Sequence, residues 1–600
     1  MSRGENVLKN SNDDVLRLQK VNDEMIPFLQ IWQEMVHTYT LDVYQNRVLN
    51  SLTALVELEM VLQKTLDGLY TTSYNIDSCR LETLQIIKCD HVLLKYEKSI
   101  INRLKWNLAK KAEKSIEQKS LRFQVSYAIK KIKPKYLDYV LIELYNSIHK
   151  KDFKLMTECT NTIISQCISN GWSAKALFDL NRFFKNSNSL DEKWRSFRDE
   201  IIGNKKISHD TLIQLNSIDN ESIEKLMSIG IDVKTYEELV IQYEHISDIS
   251  RLLKKEKKYI HHSVEAKDIY SAAHIAIKDL SKKMNFASFY NLISIWDIKS
   301  LLVIVINTMN LYHKPIKSDE LYQTYDYLDS SGNIFESTRK IIFEHESQQL
   351  KSKLHGAFAY ANISRASVVQ EEKYMNLWVA IESISRLDIY NDIISSLKTV
   401  LPAALCTRYI YRIIRNFVED CIRCGITYNF TEVEIDMKQD SKRNLVRETI
   451  DILQTNHLYL ELLDKCKVNT MMKFRCEDVM LLVNDIDYAF KKIQNHHDKV
   501  EWHIQRLYRI RNEIAHSALQ EESYLNTLTE HMYDYLSVFI LEIVTSVEGR
   551  KLSSLGEVHM LIKDNYDLLV EYSKSKEHQD HQIIKDTVLK TGIIDFLFFN

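Results

Sequence analysis

Glycine and proline are the scarce residues of this chain, with 11 Gly and 4 Pro in 600 positions, far below the roughly 7% and 5% of ordinary usage. Few prolines leave few places where a helix must stop. Few glycines leave no glycine-rich loop whose backbone N–H groups can cradle a phosphate, so a nucleotide-driven motor or a kinase is not expected. Cysteine is sparse too. Nine thiols stand in no regular framework and no signal-peptide pattern precedes them, which suits a reducing, cytoplasmic setting. Long hydrophobic runs are missing. The longest apolar run, Leu301 to Ile306, falls far short of the ~20 residues a membrane span needs, so no membrane partner is expected.

Hydrophobic residues make up 45% of the chain, ample for large cores. With so few breakers, the expected fold is all-α: an N-terminal multi-helix region over 1–345, a C-terminal helical bundle over 346–550 and a helical extension over 551–600. Asn170 and Gly171 mark a break with Ser173 as the next N-cap, and further breaks are expected at Asn186 to Leu190, at His313 to Glu320 around Pro315, and at Asp329 to Asn333. One short strand is allowed at Phe430 to Ile435. The final apolar segment from Thr591 is expected to dock against the protein or a partner.

The formal net charge of −3 hides a local excess: between Arg103 and Lys135, eleven Lys or Arg face only Glu113 and Glu117, a local charge of +9. Lys110, Lys111, Lys114 and Lys119 are the candidate RNA-binding residues of this stretch, with Trp106, Phe123 and Tyr127 offering rings for stacking. A solvated helix face is the competing reading of the same residues. A second basic knot, Arg251 to His262, reads as a lysine-rich helix ending in His261 and His262, where cations suit the C-terminal dipole.

The densest chemistry lies in Arg506 to Ala518, RLYRIRNEIAHSA. At about 100° per helical residue, Tyr508, Asn512 and His516 recur on one face while Leu507, Ile510, Ile514 and Ala518 form an apolar stripe opposite. Arg511 falls at the margin of that stripe, about 140° from His516, so its side chain must curl round to meet the imidazole or be met by a second subunit. Upstream, a helix over about Glu371 to Leu387 puts Tyr374, Leu377, Trp378, Ile381 and Ser385 on one core face. Glu382 sits on its flank, placed for an i, i+4 ion pair with Arg386.

The pair NLWVAIESI (Asn376 to Ile384) and RLYRIRNEIAHSA resembles the Apea-like branch of the HEPN superfamily, whose signature is Arg, a polar residue often Asn, several variable positions and His within a small helical bundle. Arg511, Asn512 and His516 match in order and spacing, and the LeuTrpValAlaIleGlu run and the ValGluTrp leading into the motif helix agree. The resemblance spans about 345–550. It implies a metal-independent endoribonuclease needing no cofactor, a homodimer or higher oligomer with a composite site, RNA as partner, and a toxin's role in bacterial abortive-infection defence against phage. A phage-derived trigger or an antitoxin would act through the N-terminal region.

In that setting His516 is the general acid or base, since an imidazole titrates near ~6.5, and Arg511 clamps charge on the phosphoryl oxygens. Asn512 orients the imidazole or binds phosphate. Tyr508 and Glu382 are supporting candidates. The alternatives are a non-catalytic helical RNA-binding or scaffold protein, or a HEPN partner of a nucleotidyltransferase. Rival metal chemistry is thin. Cys421 and Cys424 form an isolated CxxC, while His496, His497 and Asp498, like His578, Asp580 and His581, read as ordinary polar groups facing solvent.

Overall fold

The computed structural model describes residues 25–574 except 37–48, 71–73, 185–188, 216–219, 291–301, 318–332, 387–391, 427–441, 518–523 and a few single positions. The strand expected at Phe430 to Ile435, the group His578, Asp580 and His581, and the segment from Thr591 lie outside these residues, as do most of the two loops expected at 186–190 and 329–333.

The described chain is predominantly helical, as the shortage of breakers implies. Its principal helices are α1 (Ile26–Val36), α2 (Ser51–Leu66), α3 (Tyr74–Cys89), α4 (Lys98–Leu108), α5 (Ser115–Ile132), α6 (Tyr136–Lys150), α7 (Phe153–Ser169), α8 (Ile269–Phe289), α9 (Gln348–Ala366), α10 (Gln370–Ser385), α11 (Ile393–Thr407), α12 (Ile486–Ser517), α13 (Leu525–Arg550) and α14 (Leu555–Lys574). Local chemistry sets several starts. Asn50 caps α2 by accepting from Leu52 and Thr53 N–H at 2.9 Å, and Thr53 Oγ1 accepts in return from Asn50 N–H at 2.8 Å, a capping box. Gly171 closes the turn after α7 with φ +94°, and Ser173 accepts from Ala176 N–H at 3.1 Å to cap the short helix that follows.

Two large apolar cores divide the molecule. The first runs from Met25 to Ile316 and centres on the rings of Phe28, Trp32, Phe184, Trp194 and Phe197, with Trp32 donating its indole N–H to Leu177 O at 2.8 Å. The second runs from Ile341 to Leu569 and includes α14. No helix of the described residues is long and apolar enough to cross a membrane.

Within the first half lies a five-stranded sheet, which the all-α expectation does not contain. Its strands are β1 (Ile207–Gln214), β2 (Asp232–Lys234), β3 (Tyr259–Ala266), β4 (Leu302–Asn307) and β5 (His313–Lys317). They lie in the order β2-β3-β1-β4-β5 with every neighbouring pair antiparallel, and Leu212 stands opposite both His261 and Ile304. Period-2 alternation sorts the faces. Ile213, Ile260, Val303, Val305 and Ile316 join the first core with α8, while Leu212, Tyr259, Ile304 and Ile306 meet Leu239, Tyr243 and Ile249 on the other side.

The sheet corrects two expectations. His261 and His262 do not end a lysine-rich helix; they lie on β3, where His261 sits between Asp210 of β1 and Asp232 of β2. Asp210 first, then Asp232, raises the pKa of His261. The segment around Pro315 is not a plain break but β5, an outermost strand, where a residue without an N–H is tolerated. The longest apolar run is largely β4, an interior strand buried on both faces.

Candidate active site

The motif helix α12 starts at Ile486, where Asp485 accepts from Tyr488 N–H at 3.0 Å, and no breaker intervenes before Ser517. Its apolar stripe of Val500, Ile504, Leu507 and Ile510 is buried in the second core. Ala518 lies outside the described residues. The face carrying Tyr508, Asn512 and His516 points elsewhere: Tyr508 and Asn512 are half-buried and His516 is exposed.

Helix α10 holds the motif helix in register. Tyr374, Leu377, Trp378, Ile381 and Ser385 are all buried, and the Tyr374 hydroxyl donates to Leu507 O at 2.7 Å. The Trp378 ring packs at 5.8 Å on Tyr508 and its indole N–H donates to Glu382 Oε2 at 2.9 Å. Glu382 takes this bond in place of the expected ion pair with Arg386, the C-cap residue of α10, whose backbone N–H still reaches Glu382 O. Trp378→Phe, which keeps the ring contact but removes the donor, is expected to cost about 1–2 kcal/mol in urea unfolding.

Of the candidate residues, the structure joins Arg511 to Asn512, with Nη1 donating to Oδ1 at 3.0 Å. The Arg511 Nε is buried with no acceptor. His516 meets neither of them among the described hydrogen bonds. Tyr508, Trp378 and Glu382 form a second small cluster. Lys110, Lys111, Lys114 and Lys119 are exposed on the N-terminal half.

A second set of residues on α12, with no counterpart among the sequence candidates, makes its strongest polar contacts. Arg506, Arg509 and Glu513 lie within about 60° of one another on the helix and all three are buried. Arg506 Nε reaches both oxygens of Glu57 of α2 at 3.0 and 3.1 Å and its Nη2 pairs with Glu82 of α3, while Arg509 also pairs with Glu57. Glu513 accepts from Lys64 of α2 at 2.5 Å and from the Tyr70 hydroxyl. Cys79 contacts the same carboxylate of Glu57, and burial pushes its thiol up to about 12. The motif helix is thus clasped between the two cores; of its Tyr508–Asn512–His516 face, Tyr508 packs on the second core, Asn512 is half-buried and His516 is exposed. The one local signal was three charges on one face; their partners lie more than 400 residues away in sequence.

Other polar groups near α12 are structural. His496 is not a plain solvent-facing group: it is half-buried, its Nε2 is enclosed, and its ring stacks on Tyr409 at 3.9 Å. His497 stacks on Tyr566 at 4.6 Å. Cys421 is buried and Cys424 exposed. No group of three or more His, Cys, Asp or Glu placed to hold a metal occurs among the described residues.

Burial lowers the pKa of His274, His531 and His559 to about 4, of His496 to about 3, and of His503 well below its ordinary value. Below about pH 6.5 the unfolded chain therefore takes up protons that the folded chain refuses. The contribution of these five should be flat above that pH and fall as pH drops towards 4, each contributing about 1.4 kcal/mol per pH unit, whereas His261, with its raised pKa, works in the opposite sense. Urea unfolding at neutral and mildly acidic pH checks this; an unchanged midpoint would contradict it.

Comparison of the chain with family models, with curated proteins and with solved structures finds no match in any of the three.

Proposed function

We propose that the protein is a metal-independent endoribonuclease of the HEPN type, a toxin of bacterial anti-phage defence that cleaves cellular or phage RNA at the C-terminal end of α12. The observation that carries this reading is an exposed His516 one turn beyond an Arg511–Asn512 pair whose guanidinium keeps a buried Nε without an acceptor. A proton carrier open to solvent and a fixed cation held by a neighbouring amide are the two groups that RNA cleavage by its own 2′-hydroxyl requires.

The 2′-oxygen attacks phosphorus as His516 takes its proton, and the P–O5′ bond breaks. A second imidazole, brought by the same helix of another copy in a homodimer, protonates the departing 5′-oxygen. The products are a 2′,3′-cyclic phosphate and a 5′-hydroxyl. Arg511 stabilises the charge that builds on the non-bridging oxygens, and Asn512 fixes the guanidinium plane. Glu382 and Tyr508 act through Trp378 on the position of α12. The N-terminal half, clasped to the same helix, is where a phage-derived trigger or an antitoxin would act.

Purified protein incubated with total RNA in EDTA should release fragments ending in 2′,3′-cyclic phosphate. RNA left whole at protein levels that arrest growth would overturn the reading.

A further inference from the structure

We propose that α4 and α5 form a docking platform for single-stranded RNA, separate from the motif helix. Helix α5 buries Leu121, Val125, Ala128 and Ile132. On the side facing directly away from that core stand Ile116, Phe123 and Tyr127, 75%, 67% and 42% exposed, within about 40° of one another at helical spacing. The fold gains nothing from large apolar side chains there, because that face touches no core. Trp106 of α4, 64% exposed, adds a fourth.

The stripe is edged by cations. Lys119 and Lys130 lie on one flank and Lys131 on the other, all exposed, with Lys131 Nζ 5.9 Å from the Tyr127 ring centre and Lys110 Nζ 2.9 Å from that of Trp106. The acids of this stretch are engaged elsewhere: Glu117 accepts from the backbone N–H groups of Glu113 and Lys114 at 3.0 Å, and Glu113 lies 3.8 Å from Lys111.

Exposed rings among lysines fit bases stacking while phosphates are neutralised, whatever the sequence. A protein partner fits less well, since lysine is depleted where protein interfaces are rich in aromatics. Phe123 and Tyr127 are about 6 Å apart along the helix axis, which suits successive bases of an extended strand. Helix α2 lies between platform and motif helix, bonding to Ser126 of α5 through Glu59 and to Arg506 through Glu57. At 8–10 Å between packed helix axes, the axes of α5 and α12 are thus roughly 16–20 Å apart. The choice of RNA over DNA rests on the proposed ribonuclease reading; the platform itself does not.

The test is anisotropy of a fluorescent oligouridylate titrated with the full chain carrying His516→Ala, so that the strand stays whole. Adding Phe123→Ala and Tyr127→Ala should weaken binding about tenfold or more per ring. Adding Lys119→Gln, Lys130→Gln and Lys131→Gln instead should lower the slope of log affinity against log salt by about 2. Both sets are exposed, so an unchanged thermal midpoint certifies the fold. Unchanged affinity and slope overturn the platform, as does a parent oligomer that dissociates on the ring substitutions while RNA affinity holds. Preference for oligodeoxythymidylate overturns the choice of RNA. A parent chain that binds through these rings yet never cuts keeps the platform and sinks the ribonuclease; one that cuts, but binds equally well after ring removal, does the reverse.

Discussion

Glu57→Ala should cost the full chain about 3–5 kcal/mol, the penalty for removing one partner from a buried ionic cluster. Glu57 is the shared acceptor of Arg506 and Arg509, both buried, and the Cys79 thiol touches it as well. Without that carboxylate both buried guanidinium groups lose their shared acceptor, and Glu82 still faces Arg506. The loss should appear in urea unfolding as a lower midpoint, and in limited proteolysis as cleavage between the two cores. The triple change Glu57→Leu, Arg506→Met and Arg509→Met should recover most of the lost stability, because replacing every member of a buried cluster with apolar side chains avoids stranded charge. A single Glu57→Ala protein with an unaltered midpoint would show that the clasp is wetter and weaker than its geometry indicates. If the N-terminal half restrains the motif helix, the stable triple variant should cleave RNA faster than the parent.

His516→Ala should lower cleavage about 10²–10⁴-fold, the usual contribution of a placed proton carrier, and Arg511→Ala about 10²–10³-fold, the usual cost of losing one charge-stabilising donor. His516 is exposed at a helix end, so its replacement should leave the unfolding midpoint within about 0.5 kcal/mol. This contrast separates the two sites: one substitution removes activity without touching stability, the other removes stability first. His516→Ala protein that cuts as fast as the parent would end the catalytic assignment. Arg511→Lys is a stricter probe, since a point charge on a flexible stem cannot keep the planar bond to Asn512; activity should stay well below that of the parent.

Much of this molecule was legible as local pattern. The shortage of glycine and proline announced a helical chain, the spacing of Tyr374, Leu377, Trp378, Ile381 and Ser385 gave a buried face, and Ser173 declared itself a cap. The sheet was harder to read. β4 carries a legible run of β-branched residues, but β1, Ile207–Gln214, mixes His, Asp and Thr with its apolar positions, so strict alternation is visible only once its neighbours are known. Pro315 carries the local signature of a breaker, because an outermost strand and a loop tolerate proline for the same reason, a missing N–H that nothing needs.

The amino-acid order alone determined which side of the motif helix is apolar and that Tyr508, Asn512 and His516 share another side, since helical periodicity relates residues only a few positions apart. What covers the remaining side was decided in three dimensions. Nothing local tells Arg506, Arg509 and Glu513 that their partners are Glu57, Glu82, Lys64 and Tyr70; pairing within their own helix would satisfy the same spacing rules. Burial between two cores made the choice, because a charge removed from water is held only where an opposite charge is delivered to it, and here the first half of the chain delivers it.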